Sequence, residues 1–176
     1  SLFEFFRHEK LNARNFFAPP GPNPLFRRNQ FGYTLGGPVQ KNKTFFFTDW
    51  QGTRLRMGLT RISTVPTDAQ RAGIPPSQVD PVAAQVLTHY PRANRPGAAN
   101  NFVHTGVEPD NQNHFDGRID RYFGDHHRVF TRYSHFRDDD TPVTPLPGGS
   151  GASSSGVTGH ALTRGDNIAG EHTWTV

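Results

Sequence analysis

Cysteine is absent from the 176-residue chain, so disulfide scaffolds and thiolate metal sites are excluded. Long apolar runs are absent too: the longest aromatic burst, Phe45 to Phe47, is far shorter than the roughly 18 apolar residues of a membrane-spanning helix. Charge is nearly balanced, with 19 Lys and Arg against 15 Asp and Glu, and 33% of the residues are hydrophobic. This composition makes a large dry core unexpected.

Aromatic side chains, in contrast, are plentiful: 15 Phe, 4 Tyr and 2 Trp make up 12% of the chain. A solvated, disordered chain carries few aromatic residues, so these rings must be buried by something. Helical periodicity is scarce, whereas period-two segments bounded by Gly, Pro, Asn and Asp recur, which predicts a mostly β chain. The six predicted strands cover residues 2–7, 29–36, 44–54, 113–123, 128–136 and 166–176.

The connections between these strands alternate in length. Residues 8–28, 55–112 and 137–165 form long connections, and residues 37–43 and 124–127 form short, turn-rich ones. Transmembrane β-barrels alternate in this way, with short turns on the periplasmic side and longer loops outside. The sequence therefore predicts an all-β fold: about six strands of an antiparallel transmembrane β-barrel, with long extracellular loops.

One short helix is predicted within the second long connection. Asp80 can cap it, Pro81 suits its first position, and Pro91 ends it. The Gly- and Ser-rich run at 148–156, in the third long connection, is expected to be flexible.

Alternation within the strands predicts which side chains meet lipid, because barrel strands place apolar residues outward and polar residues inward. In the first strand Phe3 and Phe5 oppose Glu4. Four aromatic residues near strand ends are candidates for an interfacial girdle, or else for a sandwich core: Phe45, Trp50, Tyr122 and Trp174. The residues predicted to face lipid are Phe31, Tyr33, Leu35, Phe46, Trp50, Phe115, Ile119, Tyr133, Ile168 and Trp174. Those predicted to face the lumen or to contact a plug are Asp116, Arg118, Asp120 and Arg132.

The position of Arg132 predicts the length of the turn before its strand. An arginine facing lipid would cost roughly 2–4 kcal/mol at mid-bilayer, so Arg132 should point inward. A four-residue turn would place it opposite Ile119, whereas a three- or five-residue turn would place it opposite Arg118. We therefore predict an odd-length turn or a bulge, with Asp116 and Asp120 as diagonal partners of the two arginines.

No catalytic site, metal site or cofactor is expected, and we do not expect an enzyme. His126 and His127 lie in a turn without a third ligand nearby, and Asp138 to Asp140 lack the ligand spacing of a calcium loop. No Gly-x-Ser-x-Gly motif presents a nucleophile. Basic and aromatic residues alternate over 128–136, but the acidic neighbouring strand would repel a nucleic acid, so no such partner is expected.

Several stretches together resemble the TonB-dependent outer-membrane receptors of the Oar-like group, which contain a carboxypeptidase-regulatory-like domain. They are SLFEFFR at 1–7, LNARNFF at 11–17, RNQFGYTLGGP at 28–38, KNKTFFF at 41–47, FDGRID at 115–120 and RYS at 132–134. The resemblance runs through nearly the whole chain.

The resemblance implies a barrel wall filled by an N-terminal plug, which imports a scarce ligand across the outer membrane of a Gram-negative cell. Residues 1–176 would be the first strands after the plug, with the plug and the preceding β-sandwich domain outside this sequence. The implied partners are that plug, the TonB energy-transducing system, outer-membrane lipid, and a small ligand such as a siderophore, vitamin, oligosaccharide or peptide. The alternative from composition is a secreted or surface β-sandwich that binds carbohydrate or protein.

Overall fold

The structure, a computed structural model, describes residues 1–13, 23–149 and 159–176. Part of the first long connection and most of the run predicted to be flexible lie outside these residues. Six strands form one sheet in which each strand pairs with the next along the chain. They are β1 (Leu2–His8), β2 (Phe26–Gln40), β3 (Thr44–Ser63), β4 (Phe102–Phe123), β5 (His127–Asp140) and β6 (Ala161–Trp174).

The number and order of the strands confirm the prediction, but most strands are longer than predicted. β3 continues to Ser63 and β4 begins at Phe102, so residues 64–101 connect them instead of 55–112. Cross-strand contacts continue in these extensions, as between the Thr60 and Thr105 hydroxyls, which lie 2.9 Å apart. The other two long connections shorten to residues 9–25 and 141–160.

The predicted odd-length turn is confirmed. β4 ends at Phe123 and β5 begins at His127, which leaves a three-residue turn in which Gly124 adopts a φ of +66°. The resulting register places Arg118 directly opposite Arg132. The turn between β2 and β3 is equally short, residues 41–43, so the antiparallel order gathers both tight turns at one end of the strands and the long connections at the other.

The chain divides into two compact units. The first comprises residues 1–56, 109–140 and 161–176, and the second comprises residues 57–108 and 141–160. The second unit has a small core of Val65, Phe102 and Leu146. Beside it the fully buried Asn101 side chain accepts from the Val65 N–H at 2.8 Å and donates to the Val65 carbonyl at 2.9 Å. The Asn101 amide thus provides a hydrogen-bond partner for both backbone groups of the buried Val65, as a neighbouring strand would.

Two short helices belong to the second unit. The predicted helix is confirmed as α2 (Pro81–Thr88), capped by the Asp80 carboxylate. A second helix, α1 (Asp68–Ala72), was not predicted; Thr67 and Gln70 form a capping box at its start. Among the described residues, neither helix has the length and apolar composition needed to cross a bilayer.

The Arg71 side chain connects the two helices. Its guanidinium donates to the carbonyls of Leu87, Tyr90 and Pro91, at 3.1 to 3.2 Å, and its Nε donates to the Pro66 carbonyl at 3.2 Å. These bonds tie the carbonyls at and just after the end of α2 to the loop before α1, so this one side chain fixes the end of α2 against α1.

Candidate functional site

The sheet has one face that carries a row of charged side chains. Side chains alternate along a strand, so Asp116, Arg118 and Asp120 share a face, and Arg132, directly opposite Arg118, shares it as well. We call this the charged face. All four residues that the sequence predicted to lie inward are therefore brought together on it.

Asp120 is the centre of the charged face. Its carboxylate accepts two hydrogen bonds from Arg118, at 2.7 and 2.9 Å, and one from Arg128 at 2.9 Å. The Arg118 guanidinium also lies over the Phe130 ring, 4.1 Å from its centroid. A bidentate contact combined with a ring contact holds a guanidinium in one orientation, so Arg118 is a fixed positive group on this face.

The predicted partners of Arg132 are wrong. Asp120 binds Arg118 and Arg128, while Asp116 binds the Ser134 hydroxyl and lies 3.2 Å from His114 Nε2. Asp120 binds its neighbour along the strand and the diagonal residue on the side away from Arg132, while Asp116 binds the residue directly across from it. Within the described ranges, Arg132 forms no ion pair, and its exposed guanidinium remains available to a group outside this chain segment.

The charged face also holds a group of possible metal ligands that the sequence did not predict. Asp49 of β3 and the pair His114 and Asp116 of β4 offer one ligand atom each, all within 4.8 Å of one another. Oxygen and imidazole donors of this kind suit a divalent cation after small rotations of the side chains. Ser134, bonded to Asp116, is placed to orient that ligand.

Two predicted girdle residues lie on the charged face. Phe45 packs edge-on against Tyr122, with 6.1 Å between ring centroids, and Tyr122 is two positions from Asp120 on the same side of β4. These two rings therefore lie on the opposite face from Trp50 and Trp174, and their place in an interfacial girdle stays a prediction. They flank a shallow depression together with Phe47, Arg118, Asp120 and Arg128.

The opposite face is mostly apolar. The Phe31 ring lies 5.4 Å from the Trp50 ring, and the Arg54 guanidinium lies over Phe31 while donating to Asn113, two positions from Phe115. These contacts and the strand registers place one set of residues on this face, which we call the apolar face: Phe31, Tyr33, Leu35, Phe46, Trp50, Phe115, Ile119, Tyr133, Ile168 and Trp174. That it meets lipid stays a prediction.

The first strand is an exception to this division. Phe3 pairs with Gly32 and Glu4 pairs with Phe31. Glu4 therefore shares the apolar face, whereas Phe3 and Phe5 share the other one. The Glu4 carboxylate is not isolated there, because it accepts a hydrogen bond from the Asn29 amide at 3.0 Å.

Comparison with known proteins identifies the architecture. Residues 1–176 match the family model described as an outer membrane beta barrel domain. The chain belongs to this family. Searches of characterised proteins and of solved structures returned no match. The barrel domain is thus located in the outer membrane, as predicted, and the β-sandwich alternative fails because all six strands of the described residues form one sheet.

A second group of carboxylates lies on the charged face of the barrel domain, beyond the part of β4 predicted to cross the membrane. Asp110 is directly opposite Asp140, and the next pair on the same face is Gln112 and Asp138. Burial, followed by the neighbouring carboxylates of Asp138 and Asp140, raises the pKa of Asp110 to about 6. Asp110 and Asp138 are close enough to share a proton, which removes one of the two repelling charges.

The raised pKa predicts that stability decreases with rising pH. A carboxyl group whose folded pKa exceeds its ordinary value of 3.8 destabilises the fold when ionised, so the loss occurs as pH rises through about 6. We expect the free energy of unfolding of the full-length protein to fall by about 1 kcal/mol between pH 5 and 7.5, since solvent contact weakens the effect. Urea unfolding in lipid vesicles at both values measures this difference.

The Asp110→Asn variant should lose this pH dependence, whereas Asp125→Asn, in the exposed turn after β4, should keep it. An Asp110→Asn protein with the wild-type difference between pH 5 and 7.5 would assign the effect to other groups.

The second unit of the barrel domain contains a groove of about 1050 Å³. Its walls are mostly apolar, and Arg71 and the α2 cap Asp80 stand at its polar side. The apolar lining residues are Val65, Ile74, Val79, Leu87 and Tyr90. The sequence predicted residues 55–112 to be a long extracellular loop, and the structure offers this groove as one built surface within that stretch.

One signal for these sites was present in the sequence. The spacing of His114 and Asp116 puts both side chains on one face of a strand, which any strand prediction implies. Asp49 could not be added to them, because the long connection between β3 and β4 leaves their register undetermined. Arg71 gave no signal, since its role depends on where the end of α2 lies.

Proposed function

We propose that the chain forms part of the barrel wall of a TonB-dependent receptor of the Oar-like group. In this proposal the receptor takes up a scarce ligand, such as a siderophore, vitamin, oligosaccharide or peptide, by energy-dependent transport. The observation that carries the proposal is the ordered second unit, because a barrel that served only as a passive pore would not need a folded connection with its own core.

Residues 64–101 have the features of a ligand-capturing loop. Both helices are capped, Asn101 and Arg71 fix the backbone through buried or multiple hydrogen bonds, and the apolar groove has room for a small organic ligand. Such preorganisation lowers the entropy lost when a ligand binds. The long connections would thus capture the ligand on the extracellular side.

The charged face supports passage through a plugged lumen. A plug that moves during transport needs contacts that can be broken, and hydrogen-bonded ionic groups exposed to water meet this requirement better than an apolar interface. Arg132, which has no ion-pair partner in the described part of the chain, is the group best placed to bind a plug carboxylate. Asp116, Arg118 and Asp120 complete this surface.

Uptake by the full-length protein tests the proposal. The protein is produced in the outer membrane of a Gram-negative host with or without TonB, and labelled ferric siderophores, cobalamin, oligosaccharides and peptides are supplied in turn. We expect at least one of these ligands to accumulate only when TonB and the proton-motive force are present. Accumulation that survives the loss of both would make the protein a diffusion pore and overturn the proposal.

A further inference from the structure

Arginines occupy the end of the apolar face that is far from the tight turns. Arg137 is directly opposite Asn113 on one side and Arg164 on the other, and Arg54 donates to the Asn113 side chain at 2.9 Å. Three arginines from three strands, with one asparagine between them, therefore follow one level of the sheet. We call Arg54, Arg137 and Arg164 the arginine row.

The distance from this row to the tight turn matches the thickness of the membrane. Residues 127–137 of β5 separate the row from the turn, and a tilted barrel strand crosses the hydrocarbon in about 9–11 residues. Between these limits the centre of the apolar face carries Ile119, Thr131, Tyr133 and Ile168, while Arg121 lies toward the turn and Asp166 lies next to the row. If the apolar face meets lipid, the arginine row lies at the headgroup level of the outer leaflet.

The positive charge of the row is incompletely compensated by the protein. Arg54 donates to the Thr53 and Gln112 carbonyls as well as to Asn113, and these neutral acceptors leave its charge in place. Arg56, two positions further along β3, likewise donates to the neutral Asn111 and Leu55 oxygens. Arg54 and its neighbour Arg56 are thus held in position without being neutralised.

Among the residues that the structure describes, only two carboxylates on this face lie close to the row, and both have partners. Asp139 lies 3.4 Å from Arg137, whose side chain is still 43% exposed. Asp166 accepts hydrogen bonds from the Tyr133 hydroxyl and from His135, both at 2.7 Å. The three arginines of the row and Arg56, against these two acids, leave an excess of positive charge at this end of the apolar face.

We propose that the arginine row binds the phosphate groups of lipids in the outer leaflet. A guanidinium binds phosphate through paired N–H donors, and at the membrane surface the contact is strengthened because little bulk water separates the groups. Arg137 and Arg164, side by side on β5 and β6, can hold one phosphate between them. The proposal rests on the orientation of the apolar face toward lipid and not on TonB-dependent uptake.

Lipid retention by the purified full-length protein tests the proposal. The protein in detergent is incubated with phosphatidic acid, which exposes a phosphomonoester, or with phosphatidylcholine of the same acyl chains, and native mass spectrometry counts the lipid retained. The wild type should prefer phosphatidic acid. The double variant Arg137→Gln with Arg164→Gln should weaken its retention by about thirtyfold, as expected for two basic groups at a membrane surface.

The matched control is Lys41→Gln with Lys43→Gln, which removes two positive charges at the opposite end of the strands and should leave the preference unchanged. Heat modifiability in gels verifies that both variants are folded. Equal retention of the two lipids by the wild type, or an unchanged preference in the arginine variant, would overturn the proposal. Displacement of phosphatidic acid by millimolar inorganic phosphate would also overturn it, since the row would then be a site for soluble anions.

Discussion

Replacing Gly32 by valine is expected to lower the free energy of unfolding by about 3 kcal/mol and to reduce the folded protein in the outer membrane. Gly32 is buried in β2 opposite Phe3. A Cβ atom there would overlap the carbonyl oxygen of Trp50 in β3 and stand 2.8 Å from the Phe3 ring. Backbone cannot give way as a flexible side chain can, so valine must push one neighbouring strand aside.

Gly37→Val is the matched control, because it places the same side chain in the same strand where no heavy atom lies within 4 Å of the new Cβ. It should fold as the wild type does, since valine favours strands. Urea unfolding in lipid vesicles and the heat-modifiable fraction in outer-membrane preparations measure both variants. Equal loss in the two would show that any branched side chain harms β2, and the packing explanation would fail.

The sequence was most informative where one of two possible arrangements would carry a large free-energy cost. An arginine facing lipid is so unfavourable that Arg132 determined the parity of the turn before β5, and with it the register of β4 and β5. The structure places Arg132 opposite Arg118 across a three-residue turn. A single side chain thus sufficed to predict the pairing of two strands.

Sequence reasoning failed where a long connection separates the partners. β3 and β4 are joined by residues 64–101, so no turn length relates their positions. The proximity of Asp49 to His114 and Asp116 follows only from the folded register. β4 was predicted too short for a different reason. Residues 102–112 pair with their neighbours through backbone hydrogen bonds, and such pairing leaves no alternation in the sequence.

The faces of β1 and the partners of Arg132 show a second limit of prediction from the sequence. Alternation shows which residues of one strand share a face. Only pairing with the next strand shows which face of the sheet that is, and Glu4 lies on the same face as Phe31. Likewise, Asp120 has Arg118 and Arg128 within reach as well as Arg132. Its carboxylate binds Arg118 and Arg128. Competition among nearby partners cannot be evaluated before the strands are placed.

Replacing Ile119 by arginine is expected to destabilise the full-length protein by about 2–4 kcal/mol, the cost of an arginine on the lipid face near mid-bilayer. Ile119 lies on the apolar face opposite Thr131, and its side chain is 57% exposed in this part of the barrel wall. If lipid covers this face, the guanidinium has no water and no acidic neighbour at that depth. Urea unfolding in lipid vesicles measures the change.

Gln51→Arg provides the control on the charged face. Gln51 lines a depression of about 260 Å³ together with Gln112 and His114, so the new guanidinium has room and polar neighbours. We expect a change within about 0.5 kcal/mol. A third variant, Phe115→Arg, closer to the arginine row, should lose less stability than Ile119→Arg because the penalty decreases toward the interface. The opposite order, with Gln51→Arg the most damaging, would mean that the charged face is the one turned toward lipid.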